Sequence, residues 1–171
     1  GVDSDFTYTG DGENRIYTIK NINTDYEITV AFNDVGVKVN GTDVSEFTGD
    51  GWSYDSTTKV LTVDKANLTI SGANDLQVAD GFSIVVNTES VTFDNLQIAN
   101  SVRANFDALV SFEGQDTILN LSGKNSIDMD GDITQYSYVK ADQGNLTISG
   151  NGSLALGNDS MGSTSISLYV P

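Results

Sequence analysis

The residues of this sequence best suited to chemistry are three aspartates in the short run Asp128, Met129, Asp130, Gly131 and Asp132. If Met129 faces the interior of a strand, Asp128 and Asp130 project from the opposite face, and a turn at Gly131 brings Asp132 towards them. Three carboxylates that converge in this way supply the oxygen ligands that Ca²⁺ prefers. The run therefore predicts a calcium site.

The acidic run is not an EF-hand loop, although its first residues have a similar spacing. Counted from Asp128, the sixth position is Ile133, where an EF-hand needs glycine, and the twelfth is Val139, where it needs a bidentate glutamate. The alternative is an acidic turn exposed to solvent that holds no metal. Both interpretations remain open at the level of the sequence.

Catalytic chemistry is limited by the residue types that the chain lacks. It contains no His and no Cys, which excludes Ser-His-Asp and Cys-His nucleophiles and Cys/His zinc sites. A calcium-dependent polysaccharide lyase would need a basic residue to take a proton, and Arg103 is the candidate in the repeat region. A glycosidase would need two carboxylates about 5–9.5 Å apart, but 24 acidic residues supply such pairs by chance. We therefore expect a protein that is not an enzyme, with a lyase or a glycosidase as the enzymatic alternatives.

A second candidate site is a column of short polar side chains that face outward on repeated strands. Its members are Thr69, Thr92, Asn120 and Thr147. Hydroxyl and amide groups in a row can hydrogen-bond a glycan, and the rings of Tyr136 and Tyr138 are candidates for stacking on sugars. The alternative is that the column only covers the outer face of a sheet.

These strands are predicted from a short repeat. The hexapeptide Asn-Leu-Thr-Ile-Ser-Gly occurs at residues 67–72 and again at 145–150, and residues 119–123 read Leu-Asn-Leu-Ser-Gly. Aligned on this motif, four rows about 23 to 28 residues apart carry apolar residues two apart, which is typical of stacked solenoid strands. The apolar pairs are Leu68/Ile70, Val91/Phe93, Leu119/Leu121 and Leu146/Ile148.

Each row also contains an earlier and a later strand. The earlier strands carry Leu61/Val63, Ile84/Val86, Val110/Phe112 and Tyr138, and the later ones Leu76/Val78, Leu96/Ile98, Ile127/Met129 and Leu154/Leu156. Three strands per row predict an all-β fold, a three-sided parallel β-helix, with an antiparallel β-sandwich as the alternative. In the β-helix Ile148 points inward, so Ile148→Asp should prevent folding while Thr147→Asp should be tolerated.

Composition restricts the partners. The 24 acidic and 8 basic residues give a formal net charge of −16, which disfavours nucleic acids and anionic membranes. No apolar run is long enough to span a membrane, so membrane insertion is not expected. Polysaccharides, cell-surface glycans or proteins, and cations remain.

The chain is predicted to contain three regions. Residues 1–33 hold alternating stretches at Ile16–Ile19 and at 26–32, and they resemble the end of the small β-rich modules that link domains of bacterial surface proteins. Residues 34–58 form a bridge and cap, in which Trp52 is either a plug for the core or a platform for sugars. Residues 59–171 form the β-helix, and the alternating residues 165–170 supply a closing strand.

A family resemblance begins at residues 52–63, Trp-Ser-Tyr-Asp-Ser-Thr-Thr-Lys-Val-Leu-Thr-Val, and continues through the Leu-Thr-Ile-Ser-Gly rows. Over about 120 residues the pattern resembles the right-handed parallel β-helix modules of bacterial surface and secreted proteins, of carbohydrate-binding or adhesin type. Some relatives resemble pectate lyases in fold and bind calcium and plant polysaccharide without cleaving it.

The resemblance implies a function outside the cell. We expect a non-catalytic module of a longer, multidomain bacterial surface or secreted protein, which binds carbohydrate or another surface ligand with Ca²⁺ assistance. The alternatives are a calcium-dependent polysaccharide lyase and a passive spacer that displays neighbouring domains.

Overall fold

The computed structural model describes residues 6–9, 16–19, 34–46, 48–101, 108–114, 116–129, 137–141, 143–157 and 168–169. The chain divides into two compact units, Gly1–Asn33 and Asp34–Pro171. In the first unit, β1 (Phe6–Thr9) pairs antiparallel with β2 (Ile16–Ile19), and residues 26–32 lie outside the described residues. The second unit contains the repeat.

The second unit consists almost entirely of short strands. In chain order they are β3 (Val37–Val39), β4 (Thr42–Asp43), β5 (Thr48–Gly49), β6 (Trp52–Asp55), β7 (Val60–Val63), β8 (Leu68–Ala73), β9 (Ser83–Val86), β10 (Ser90–Asn100), β11 (Ala108–Phe112), β12 (Asp116–Ser122), β13 (Lys124–Met129), β14 (Ser137–Ala141), β15 (Asn145–Gly150), β16 (Ser153–Leu156) and β17 (Leu168–Tyr169). A 3₁₀ turn covers Val44–Glu46, and one short helix, α1, covers Leu76–Ala79. The prediction of an all-β fold is confirmed. No helix among the described residues is long and apolar enough to cross a membrane.

Two sheets organise the second unit. The larger sheet has the order β15-β12-β10-β8-β3-β4, and β13 and β16 extend it beside the second half of β10. The smaller sheet has the order β17-β14-β11-β9-β7-β6-β5. Among the described strands, β7 to β17 pair with one another in parallel, while β7 and β8 each also pair antiparallel with a strand from the first end, β6 and β3 respectively. In each repeat the chain passes from the smaller sheet to the larger one and back, with β12 followed by β13, and β15 by β16, within the larger sheet. Strands one repeat apart are hydrogen-bonded neighbours.

The strand register stacks apolar residues of successive repeats. On the larger sheet Leu68, Val91, Leu119 and Ile148 lie opposite one another, and on the smaller sheet the stack is Leu61, Ile84, Val110 and Val139. A third stack contains Ile98, Ile127 and Leu156. Residues two apart share one face of a strand, so each stack forms a column that faces the interior, buried except where Ile148 and Leu156 end their columns.

The core is apolar, and most of the buried polar side chains have hydrogen-bond partners, although the hydroxyl of Ser83 has none among the described residues. Asn125, which is buried, accepts a hydrogen bond from the amide of Leu96 at 2.9 Å and donates to the carbonyls of Ser122 and Ser153 at 3.0 and 3.1 Å. One side chain thereby joins three successive repeats. Removing it would leave buried backbone groups unpaired, at a cost of about 1–3 kcal/mol.

Antiparallel strands close the first end of the stack. β3 lies along the outer edge of β8 and buries Val37 and Val39, and β6 pairs antiparallel with β7. Trp52 on β6 is only 6% exposed and belongs to the core, so it acts as a plug rather than as a sugar platform.

The Ser-Gly of the repeated hexapeptide has a physical explanation. Gly72 and Gly150 have φ of +92° and +99°, in the left-handed region that side chains rarely adopt. A Cβ on Gly72 would also overlap the carbonyl oxygen of Gly36, and a Cβ on Gly150 would overlap that of Leu121. In the second row Asn95, with φ of +51°, takes the left-handed position and interrupts the register of β10 with β8.

Three details differ from the expected rows. Leu76 and Val78 lie in α1 and not in a strand, because the carboxylate of Asp75 accepts a hydrogen bond from the Gln77 amide at 2.8 Å and caps the helix. On β14, Val139 rather than Tyr138 joins the inner column. In the fourth row the register is displaced by two residues, so that Leu119 lies opposite Ile148 and not Leu146.

Ile148 is also far less buried than expected. It shares a column with Leu119, which is fully buried, yet it is 46% exposed because the described residues place no strand beyond β15. The expected collapse of Ile148→Asp therefore does not apply at this position.

Candidate ligand-binding face

The outer face of the larger sheet carries a polar column of four residues. The register places Thr69 opposite Thr92, Thr92 opposite Asn120, and Asn120 opposite Ser149. Thr147 is not part of this column, because the fourth row is displaced by two residues and Thr147 lies opposite Ile118. Three of the four predicted positions are therefore adjacent, and Ser149 completes the column.

Two further columns flank the first. On one side Ser71, Asp94 and Ser122 lie opposite one another, and on the other side Ser90, Ile118 and Thr147 do so. We name the three columns together the polar face. Neighbouring strands are about 4.8 Å apart and alternate residues of a strand about 6.7 Å apart, so the side chains form a regular grid.

Hydrogen bonds between repeats fix several groups at the polar face. The Ser149 hydroxyl donates to Asn120 Oδ1 at 2.6 Å, and the Ser90 hydroxyl donates to Asn67 Oδ1 at 3.1 Å. The amide of Thr69 donates to Asn40 Oδ1 at 2.9 Å. These contacts hold side chains in one conformation and leave further donor and acceptor capacity on the hydroxyl and amide groups.

The polar face is almost neutral in a strongly acidic protein. Asp94 is the one ionisable side chain in the three columns, and its carboxylate accepts a hydrogen bond from the Asn95 amide group at 3.0 Å. Ile118 is the one apolar residue and is 45% exposed. The face can therefore offer hydroxyl and amide hydrogen bonds, one carboxylate and one apolar contact.

Tyr138, one of the two tyrosines of the predicted site, is not available on this face. Tyr138 is 6% exposed, and burial, followed by the charge of Asp128, raises the pKa of its phenol above the usual value. The hydroxyl lies close to Gly157. A ring packed in this way cannot stack on a sugar, and Tyr136 lies outside the described residues.

Of the three predicted calcium ligands, the structure describes Asp128 alone. It lies on β13 opposite Ala99 and is half-buried, while Asp130 and Asp132 fall outside the described residues, as does Arg103. Within the part of the chain that is described, no three acidic side chains come close enough together to hold a metal ion. The calcium site stays a prediction.

An acidic pair at the first end of the stack was not identified from the sequence. A hydrogen bond to Asp43 raises the pKa of Asp34 above its usual value. Burial alone would raise the pKa of Asp43, but hydrogen bonds from Asp34 and Ser45 outweigh it, and that pKa is lowered. Asp43 Oδ2 is buried without a donor among the described residues. A hydrogen bond between two carboxyl groups needs a proton on one of them, and the raised pKa of Asp34 and lowered pKa of Asp43 favour Asp34 as the group that holds it.

Sequence reasoning also missed the two flanking columns, although alternation gives a signal for them. Residues two positions from Thr92 on the same strand, Ser90 and Asp94, must share its face. What alternation cannot give is the register between rows, which determines that Ser149 and not Thr147 is adjacent to Asn120.

Comparison with known proteins gives no relative from which a function could be transferred. No family model, no curated protein and no solved structure matches this chain. The function must therefore be argued from the polar face itself.

Proposed function

We propose that the second unit is a right-handed parallel β-helix. The proposal is supported by the parallel pairing of equivalent strands in successive repeats, in which one turn takes 23 residues near the start and 29 near the end. The hand is inferred from the general rule that a strand, a crossover and a parallel strand in one sheet form a right-handed connection. An antiparallel sandwich would need antiparallel neighbours, which among the described residues occur at the first end of this unit.

On this scaffold we propose a non-catalytic module that binds a neutral carbohydrate on the polar face. The observation that carries the proposal is the register, which aligns Thr69, Thr92, Asn120 and Ser149 in one outward column with polar columns on either side. Neutral polysaccharides offer repeated hydroxyl groups, and a rigid grid of hydroxyl and amide groups can bind them without ordering its own side chains on binding.

The charge of the molecule is compatible with this ligand class. A net charge of −16 repels polyanions at a distance, whereas a neutral glycan meets no such penalty. Exposed Ile118 gives the face an apolar contact for the C–H surface of a sugar ring. The location that we propose is outside the cell, on a bacterial surface or in secretion, in agreement with the family resemblance of the sequence.

The test combines a glycan array with pull-down on insoluble polysaccharides, each with and without EDTA. Thr92→Arg places a long, charged side chain at the centre of the polar face, and we expect at least about a tenfold loss of binding, which corresponds to about 1.4 kcal/mol. The matched control is Ser111→Arg, at an outward position of the smaller sheet, which should bind as the unmodified protein does.

The comparison with and without EDTA also tests whether calcium assists the binding. Binding that EDTA abolishes would support a metal contribution, and binding that EDTA leaves unchanged would assign recognition to the polar face alone. Equal losses for Thr92→Arg and Ser111→Arg would place the binding site elsewhere and contradict the proposal.

A passive spacer is the second candidate. It is favoured by the hydrogen bonds between repeats. The bond from Ser149 to Asn120 uses groups of the polar face internally, and the bond from Asn145 to Asp116, beside that face, also joins two rows. Failure to bind any glycan or surface, together with a cooperative and reversible thermal transition, would support the spacer.

A further inference from the structure

The larger sheet has a free edge at β15. This strand pairs with β12 on one side, and the described residues place no strand on its other side. The unpaired N–H and C=O groups along such an edge can pair with another extended chain.

Several apolar side chains at the free edge are incompletely covered. Ile148, which faces the interior in the same column as Leu119, is 46% exposed, and Leu146, Leu154 and Leu156 are only partly buried against the core. Ile70 is the equivalent residue at an edge that another strand covers, and its burial can be compared with that of Ile148. It occupies the same place in an identical hexapeptide, has β3 across its open edge, and is fully buried.

The free edge also lacks the features that keep edge strands apart. Residues 143–157 contain no charged side chain and no proline, in a chain that is 19% charged. Proteins protect exposed edges with charges, proline or very short strands. The opposite end of the stack follows this rule, because β4 and β5 have two residues each and Lys38, Asp43 and Asp50 lie beside them.

The shape of this end of the stack favours the binding of a single strand over the docking of a second copy of the protein. β17 extends the smaller sheet by one strand beyond β14, whereas the described residues place no strand beyond β15 in the larger sheet. The end is therefore a step one strand high, and two copies would need flat ends to stack. Two copies with a net charge of −16 each would also repel one another.

We propose that the free edge of β15 binds an extended segment of another protein, uncharged or basic, with apolar side chains two residues apart. The segment adds one strand to the larger sheet beside β17 and covers Ile148 and Leu146. The molecule contains a precedent for this occupant, because β3 covers the edge of β8 with Val37 and Val39 two residues apart. The proposal is independent of carbohydrate binding, which uses the outer face of the sheet.

The first experiment asks whether the edge is free in the isolated protein. Amide hydrogen exchange should be fast at alternate residues of β15, those that point away from β12, and slow throughout β12. Slow exchange along all of β15 would show that the chain covers this edge itself and would overturn the proposal.

The second experiment uses a peptide with the sequence of residues 67–73 and blocked ends, and a scrambled peptide as control. We expect saturable binding of the first peptide with slowed exchange in β15. Ile148→Lys should weaken the binding at least about tenfold, and Thr147→Lys, on the outer face, should change it by less than about twofold.

Three outcomes would overturn the proposal: no binding of the peptide, equal binding of the scrambled peptide, or a dimer of the protein that Ile148→Lys dissociates. The last would identify a second copy as the occupant. Circular dichroism of both lysine variants shows that they are folded, which is expected because Ile148 and Thr147 are both exposed.

Discussion

The two ends of the stack contain the same hexapeptide in opposite situations. Residues 67–72 lie under the antiparallel strand β3, and Ile70 is fully buried. Residues 145–150 form the free edge at the other end, and Ile148 is 46% exposed. The local sequence is identical, so the difference in burial between Ile70 and Ile148 arises from whether another strand pairs with the edge beside each of them. An apolar residue in a stack of strands is stabilised by its neighbours on both sides, and among the described residues β15 has a neighbour on one side.

The largest expected difference between the two ends concerns the isoleucines. Ile70→Ala should lower the free energy of unfolding by about 2–5 kcal/mol, as a large-to-small change in a closed core does. Ile148→Ala should cost less than about 1 kcal/mol, because water already reaches the side chain. Urea unfolding followed by circular dichroism measures both. Equal losses would show that the second end is covered as completely as the first.

Alanine substitution of either hexapeptide glycine should have a similar effect on stability. Each glycine lies against a backbone carbonyl of a neighbouring segment, at the first end and at the second end alike. Gly72→Ala and Gly150→Ala should each cost about 1–3 kcal/mol, from the positive φ and the overlap with Gly36 or Leu121. Gly41→Ala is the control, since Gly41 has φ of +85° but no atom near an added Cβ. Its urea midpoint should fall less. A neutral Gly150→Ala would contradict the pairing of β15 with β12.

The two ends should also unfold at different denaturant concentrations. Trp52 is the single tryptophan of the chain and is buried at the first end, so its emission reports that end. Hydrogen exchange in β15 and β16 should lose protection at urea concentrations where Trp52 emission is unchanged, by a margin of about 1 kcal/mol or more in local stability. Simultaneous loss of both signals would mean that the stack unfolds as one cooperative unit.

The smallest effect is a pH dependence confined to the first end. The pKa of Asp34 is raised in the folded state, so the stability contributed by its proton is complete below the unfolded value of 3.8 and is lost as the pH rises through the folded pKa. The pKa of Asp43 is lowered in the folded state, so its effect on stability has the opposite sign. The stability that ionised Asp43 contributes is complete above the ordinary pKa of 3.8 and is lost as the pH falls through the folded pKa.

Asp34→Asn provides the test of this pair, because asparagine offers Asp43 a donor at every pH. We expect thermal unfolding of the variant to show a weaker decline in stability above pH 4 than that of the unmodified protein. Asp50→Asn, beside Lys65 on the surface, is the matched control and should leave the decline unchanged. An unchanged profile for Asp34→Asn would show that the two carboxyl groups do not share a proton.

Much of the interior could be predicted from alternation. Leu61, Ile84, Phe93 and Ile127 were assigned to the core because apolar residues two apart share one face of a strand, and all are buried. Alternation fails where two apolar residues are adjacent. Tyr138 and Val139 both suit an inner position, and pairing with Val110 selects Val139. It also fails at Leu76, where the side chain of Asp75 caps a helix instead of continuing the strand.

The candidate binding face was only partly predictable for a related reason. The composition of the outward positions is a local property, so Thr69, Thr92 and Asn120 were correctly expected on one column. The fourth member depends on the lengths of the turns between sheets, which displace the last row by two residues. A displacement by two keeps every side chain on its face, and the alternating pattern therefore cannot detect it.

By itself the sequence determined the strand content, the residues that face the interior and the left-handed turn after each serine of the hexapeptide, because these depend on neighbours along the chain. Only the tertiary structure decided which rows lie side by side, which copy of the hexapeptide is covered and how exposed each isoleucine is. Burial is a property of what packs against a residue from elsewhere in the chain. Two identical segments can therefore form the same kind of strand from leucine to glycine and differ in energy.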